Sequence, residues 1–365
     1  GLTAYGHRSA RRELVALTTY SDLIMGNEEQ KIPSVHTKII SDAQNVGLTE
    51  KQVLTYADAV SVYLAFNVDR LANRQSTICF WDTGREGVQQ VFARQSIPMT
   101  WDFAEANPFS ESTGNFMGQL DYVIKSLSDS PATKSNGLIE QKTAQKGLLN
   151  STLKVVSTDP PYYDNISYAD LSDFFYIWLR RSLKSIYPEI FSTLMVPKVP
   201  ELVATPYREN RGKEGAEQFF LDGMTEAIRN IQQQQPEDYP VTIYYAFRQS
   251  ETKDEGVAST GWATFLEAVI EAGFSINGTW PMRTELTTNL KKGKNVLASS
   301  VVLVCRKQPQ EAKTITRKDF IQYLRRELPT AIKNLQHSNL APVDMAQASI
   351  GPGMAIFSRY AKVME

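Results

Sequence analysis

The sequence predicts an α/β fold, half of a doubly wound sheet with helical additions on both sides, and three observations carry that reading. From Leu153 onward, short apolar runs with the length and β-branched content of buried strands alternate with longer segments whose apolar residues recur at three-to-four spacing. The last two strand-like runs are separated only by a polar basic stretch, so the half-sheet ends in a hairpin. The first hundred residues lack this alternation and are mainly helical in pattern.

Taken in order, Leu14, Leu17, Tyr20, Leu23 and Ile24 recur at helical spacing. A longer helix opens at Thr49, where a threonine followed three residues on by Gln52 forms a capping box. Its apolar stripe runs through Val53, Tyr56, Ala57, Val60, Tyr63, Leu64 and Leu71, with Asp58 and Asp69 outside it. Residues 77–81 and 97–103 read as short strands, the second leading into a turn-rich stretch over 107–114, and residues 116–127 read as helix. Strands are then expected over 153–157, 241–247, 274–280 and 296–305, with helices over 171–186, 215–234 and 261–272 between them. A last helix from about Thr316 carries Phe320, Tyr323, Leu324, Leu328, Ile332 and Leu335 on one face, with Pro329 as a kink. Three regions follow: a mainly helical one over 1–105, a central α/β one over 106–310 and a C-terminal helical extension over 311–365.

Composition bounds the function. With 42% apolar and 22% charged residues, the 365-residue chain is neither disordered nor disulfide-stapled. No apolar run approaches the roughly 20 residues that span a bilayer. Cys79 and Cys305 stand far apart, and His7, His36 and His337 are nowhere near ligand spacing, so no metal site is expected and a reducing cytoplasm is the default location. A net charge of -1 excludes a wholly basic nucleic-acid binder while permitting a local basic cleft. Gly1 in first place, and residues 357–363 reading as an element still under way, lead us to expect part of a longer polypeptide.

The residues that carry chemistry are Asp159-Pro160-Pro161-Tyr162, at the carboxyl end of the first strand of the half-sheet, the edge where open α/β sheets bind ligands. An exocyclic amine on a nucleobase is a poor nucleophile because its lone pair is conjugated into the ring. A carboxylate accepting from one N–H and a backbone carbonyl accepting from the other steer that pair outward, toward an incoming methyl group. Asp159 offers the carboxylate and Pro160 the carbonyl. The prolines hold the turn in one shape, and Tyr162 supplies a face on which a flipped-out base can stack.

Thr158-Asp159-Pro160-Pro161-Tyr162 resembles the catalytic motif of S-adenosylmethionine-dependent amino methyltransferases acting on DNA, aspartate in first place being typical of adenine N6 enzymes. The longer string from Ser157 through Asp164-Asn165, Asp170-Leu171-Ser172-Asp173-Phe174-Phe175-Tyr176 and Trp178-Leu179-Arg180-Arg181 resembles the large adenine-specific DNA methylases that carry a zinc-ribbon insert and an N-terminal domain of unknown function. Stretches at 69–72, 76–79, 92–95, 99–109, 279–285 and 350–354 are similar to the same family, so the resemblance covers nearly the whole chain. It implies a partial Rossmann-like methyltransferase sheet, S-adenosylmethionine as cofactor, DNA as partner, methylation of adenine N6 and a role in restriction-modification or phage defence.

Two departures stand out. The glycine-rich turn that cradles the cofactor in such enzymes is absent, and in the family it lies upstream with the zinc-ribbon cysteines, so this chain resembles the middle and C-terminal portion, with an upstream segment of the same polypeptide as a partner. Asn107, Pro108 and Phe109 have the opening of such a turn without its glycines and are the local candidates for the cofactor site. Thr143 stands where the family tends to place an acidic residue that meets the cofactor's adenine.

Arg283, Lys291, Lys292 and Lys294, in the hairpin stretch, are candidates for DNA contact, as are Arg208, Arg211 and Lys213 before a helix. Arg180, Arg181 and Lys184 divide between phosphate contact and a solvated helix face. Asp164, Asp170 and Asp173 read as helix-start charges rather than a metal cluster. Gly351-Pro352-Gly353 reads as a turn. The expected function is therefore adenine-specific DNA methylation, with the site incomplete in this chain. The competing classes are a non-catalytic DNA-binding or specificity fragment and methylation of RNA.

Overall fold

The computed structural model describes residues 8–92, 100–130, 137–147, 155–163, 166–245, 260–283, 299–309, 311–336 and 349–365. The chain is a mixed α/β protein that divides into two compact units, Gly1–Ile139 with Tyr168–Lys198, and Glu140–Ser167 with Val199–Glu365.

The first unit is helical: α1 (Arg11–Met25), α2 (Val35–Asn45), α3 (Glu50–Ala72), a minimal hairpin of β1 (Trp81–Asp82) and β2 (Gly87–Val88), then α4 (Phe116–Asp129) and α5 (Tyr168–Leu183). The capping box at the start of α3 is in place: the Thr49 hydroxyl accepts from the Gln52 backbone N–H, and the Gln52 side-chain oxygen accepts from the Thr49 N–H at 3.0 Å. Its buried face includes Asn67 and Leu71 and a row at three-to-four spacing, Val53, Ala57, Ser61, Ala65, Val68 and Ala72, made mostly of small residues that let neighbouring helices approach. Tyr56 and Tyr63, expected on that face, are exposed, because the row turns past them.

The helix after Asp159 was expected to flank the sheet. Instead, α5 packs in the helical unit, where Phe174, Trp178 and Leu183 join Leu17, Leu71 and Cys79 in one core. Its aromatic face finds aromatic partners there, Phe92 meeting Phe174 edge-on at 5.6 Å and Phe175 at 6.0 Å. Arg181 makes a two-pronged pair with the buried Asp22, at 2.6 and 2.7 Å, and Arg180 donates to the Thr193 carbonyl. Asp173 is buried, accepting from the Val196 N–H and the Lys198 ammonium. Residues 77–80, expected as strand, form turns: Ile78 and Cys79 are buried, but the Cys79 N–H donates back to the Ser76 carbonyl at 2.9 Å. Their apolar character reflects burial, not pairing. Residues 100–103 are likewise not strand, and 97–99 lie outside the described residues.

The second unit holds β3 (Ser157–Thr158), α6 (Gly212–Gln234), β4 (Val241–Tyr245), α7 (Thr260–Glu271), β5 (Phe274–Arg283), β6 (Ser299–Lys307), β7 (Thr314–Thr316), α8 (Arg317–Gln336), α9 (Ile350–Phe357) and β8 (Lys362–Met364). The main sheet runs β3-β4-β6-β5, with β3 parallel to β4 and β6 antiparallel to both its neighbours. The hairpin expected at the end of the sheet is present, and its returning strand fills the place between β4 and β5. In β4 Val241, Ile243 and Tyr245 are buried and alternate with half-buried Thr242 and Tyr244. These residues share one core with Phe220, Met224 and Ile228 of α6 and Trp262, Phe265 and Val269 of α7.

The end of the chain belongs to this unit too. The buried Ser358 hydroxyl accepts from the Ile276 N–H of β5 at 2.8 Å, and Gln308 donates to the carbonyls of Ser358 and Tyr360. Gly351 and Gly353, expected in a turn, lie in α9, where Gly351 rests against Thr279 so closely that any Cβ would collide with it.

Asp22→Ala should lower stability by about 1 kcal/mol, because it removes the two-pronged pair between α1 and the exposed Arg181 of α5. Urea unfolding that shows no change in midpoint would refute a structural part for this pair.

Candidate functional site

Asp159, Pro160, Pro161 and Tyr162 leave the carboxyl end of β3, whose Ser157 and Thr158 stand in register with Thr242 and Ile243 of β4. The strand is held from its start: the Gln235 side chain accepts from the Val156 N–H at 3.2 Å and donates to the Tyr239 carbonyl at 3.0 Å, tying β3 to the approach to β4. Tyr162 is half-buried and meets the ring of Tyr245, the last residue of β4, edge-on at 5.3 Å and 73°. The turn therefore lies at the adjoining carboxyl ends of two parallel strands. Asp159 is exposed, and among the described residues nothing pairs with its carboxylate.

The clamp on this turn is Tyr163, which sequence reasoning missed. Its φ of 30° is a left-handed conformation that a tyrosine adopts only when its surroundings hold it. The ring packs edge-on against Phe220 at 5.2 Å, the carbonyl accepts from the Ala204 N–H at 2.9 Å, and Gly261 in the first turn of α7 lies against the ring. A Cβ on Gly261 would come within 2.7 Å of that ring. The only sequence signal for this arrangement is a second aromatic after Tyr162 and a glycine at a helix start.

Asn107, Pro108 and Phe109 fall in the first unit. The Asn107 side chain accepts from the Phe109 N–H at 3.0 Å, closing a tight turn, and Phe109 is 81% exposed. Between Phe109 and Ser157 the described residues include one α-helix, α4, and no strand. These three residues border a cavity of about 620 Å³ whose other walls come mainly from α1. Glu13, on that wall, is 2% exposed, and burial, reinforced by Glu105, raises its pKa to about 7 against the lowering effects of the Ala10 N–H and Arg12.

The basic candidates divide. Arg283 ends β5, opposite Ser299, while Lys291, Lys292 and Lys294 lie outside the described residues. Arg208 is buried in an ion pair with Glu201 at 2.7 Å, and Arg211 pairs with Glu209 and lies over the Phe219 ring at 3.7 Å. Both are engaged within the second unit, while Lys213 is exposed. Arg181 is paired with Asp22. Thr143 is half-buried beside Gln145, on a 3-10 turn whose backbone accepts from Asn230 of α6. Among the described residues no group of His, Cys, Asp or Glu could hold a metal ion, and no helix is long and apolar enough to cross a membrane.

Gly261→Ala should cost about 1–3 kcal/mol, and less than half of that in a Tyr163→Ala background, since the collision is with that ring. Equal costs in both backgrounds would remove Tyr163 from the clamp. For Glu13 the folded chain binds a proton that the unfolded chain has released between pH 4.5 and about 7, so its contribution to stability falls as pH rises through that window. Glu13→Gln should therefore raise the melting temperature more at pH 8 than at pH 5, by roughly 2–5 °C. A pH-independent difference in thermal scans would contradict this.

Comparison with protein-family models, with curated proteins and with solved structures found no match to this chain.

Proposed function

We propose that the chain carries the amine-holding half of an S-adenosylmethionine-dependent methyltransferase acting on adenine N6 in DNA, on a partial Rossmann-like sheet. The observation that supports it is Asp159: an exposed carboxylate without a partner among the described residues, on a proline-stiffened turn at the carboxyl edge of parallel strands.

In this reading the Asp159 carboxylate accepts one N–H of the base's amine and the Pro160 carbonyl accepts the other. The nitrogen is then held part-way to tetrahedral, with its lone pair out of the ring plane. Pro161 shapes the turn. Tyr162, leaning on Tyr245, offers the remainder of its ring to the base. Asp159 would act by orienting the amine and need not be a strong base.

The cofactor would supply an electrophilic methyl group on sulfonium. The described residues do not fit it on their own. Among the described residues the glycines at positive φ, Gly26, Gly47, Gly114, Gly147, Gly212 and Gly273, are scattered, and none directly follows β3 as a close-approach cradle would. Asn107, Pro108 and Phe109 stay the candidates within this chain, and the proposed upstream segment would bring the rest. This misfit favours the second reading, a DNA-binding or specificity fragment that does not catalyse alone.

Asp159→Ala, in the chain supplied with its upstream segment, should lower methyl transfer to adenine-containing DNA by roughly 10²-fold or more while DNA binding holds. Radiolabelled methyl transfer and a binding titration, run on DNA and RNA oligomers in parallel, read both. Unchanged transfer would sink the catalytic assignment, and a preference for RNA would reassign the substrate.

A further inference from the structure

The cavity beside Phe109 has a chemistry of its own, independent of Asp159 and contained in the first unit. At about 620 Å³ it has the volume of a nucleoside-sized ligand site. Val15, Ala16 and Leu23 of α1 supply apolar wall, and Tyr20 supplies an aromatic one, braced from behind by Phe116 stacked on it at 4.4 Å. Phe109 stands at the mouth with its centroid 6.2 Å from Tyr20, held by the Asn107 turn and largely bare.

One polar group in this wall is unsatisfied. Glu13 Oε2 accepts from the Ala10 N–H at 2.6 Å, while Oε1 is buried with no hydrogen-bond partner. A buried carboxylate oxygen without a donor costs free energy that a ligand N–H would recover. Of the neighbouring polar groups, Gln75 donates to the Ala106 carbonyl at 2.7 Å, and Arg12 pairs with Glu105 at 3.0 Å. An alkylammonium would bring three donors to a wall with one buried open acceptor, and a phosphate would find its nearest cation already paired. A flat ring bearing an amine brings an apolar face for Tyr20 and Phe109 and a donor for Glu13.

We propose that this cavity binds an amino-substituted nucleobase, its ring against Tyr20 and Phe109 and its amine donating to Glu13. The same chemistry is presented by a free nucleoside, including the adenosine end of the cofactor for which Asn107, Pro108 and Phe109 are the candidates, and by an unstacked base on a single strand.

Calorimetric titration of adenosine and of a short single-stranded deoxyadenosine oligomer into the whole chain tests this. Saturable binding is expected, weakened about tenfold or more by Phe109→Ala and by Glu13→Gln, and retained in Asp159→Ala. Purine riboside, which lacks the amine, should bind about tenfold more weakly than adenosine. Phe109 is exposed and glutamine keeps an acceptor for Ala10, so neither variant is expected to unfold, and thermal scans check that. Tighter binding of the oligomer would assign the source to a nucleic-acid strand, and equal affinity to a free nucleoside. Absence of saturable binding of both probes, binding indifferent to Glu13 and Phe109, or binding lost in Asp159→Ala would overturn the proposal.

Discussion

The parallel pairing of β3 with β4 is the constraint on which the second unit depends. A parallel pair cannot be closed by a tight turn, so the chain must travel away and return before the second strand is laid down. Here the route runs through α5, which is built into the core of the other unit, and comes back along α6. Only two residues of β3 pair in the ladder, Ser157 and Thr158. So short a strand is positioned by what flanks it: the Gln235 bridge at its start and the Tyr163 clamp just beyond its end.

That clamp shows how a loop can be as rigid as an element. Two prolines fix φ, and a left-handed tyrosine reverses the path. Phe220, Ala204 and Gly261, from separate parts of the second unit, then hold the tyrosine in a conformation it would not choose. Rigidity at this place leaves the Asp159 carboxylate in water while its backbone is fixed. The opposite balance holds at Glu13, where the carboxylate is buried and its unsatisfied oxygen is the feature that asks for a ligand.

Much of the architecture was legible because period and punctuation are local properties. The capping box of Thr49 and Gln52, the alternation in Val241–Tyr245 and the closing hairpin all arise from residues near one another in sequence. Allegiance was not legible. That α5 turns to Phe92 and Leu17, or that Ile78 and Cys79 are buried in turns rather than in a strand, depends on partners far along the chain, and apolarity alone does not distinguish these fates. The candidate site divided in the same way. Asp159 through Tyr162 were named from residue type and position, whereas the clamp needed φ at Tyr163 and the closeness of Gly261. Arg208 and Arg211 looked like free cations because Glu201 and Phe219 give no sign in sequence of being their partners.

The place of β6 has a consequence for biogenesis. Strand β4, buried on alternate residues, has its second neighbour only in residues 299–307, and β5, made earlier, lies one position too far away to pair with it. At synthesis rates of roughly 5–20 residues per second, a nascent chain holds an open edge of valine, isoleucine and tyrosine for some seconds before its cover emerges from the ribosome. The sheet is then sealed from its far side when Ser358, made some fifty residues after the last main-sheet strand, reaches back to Ile276. A chain cut just before Ser358 would keep every strand of the main sheet and lose that latch.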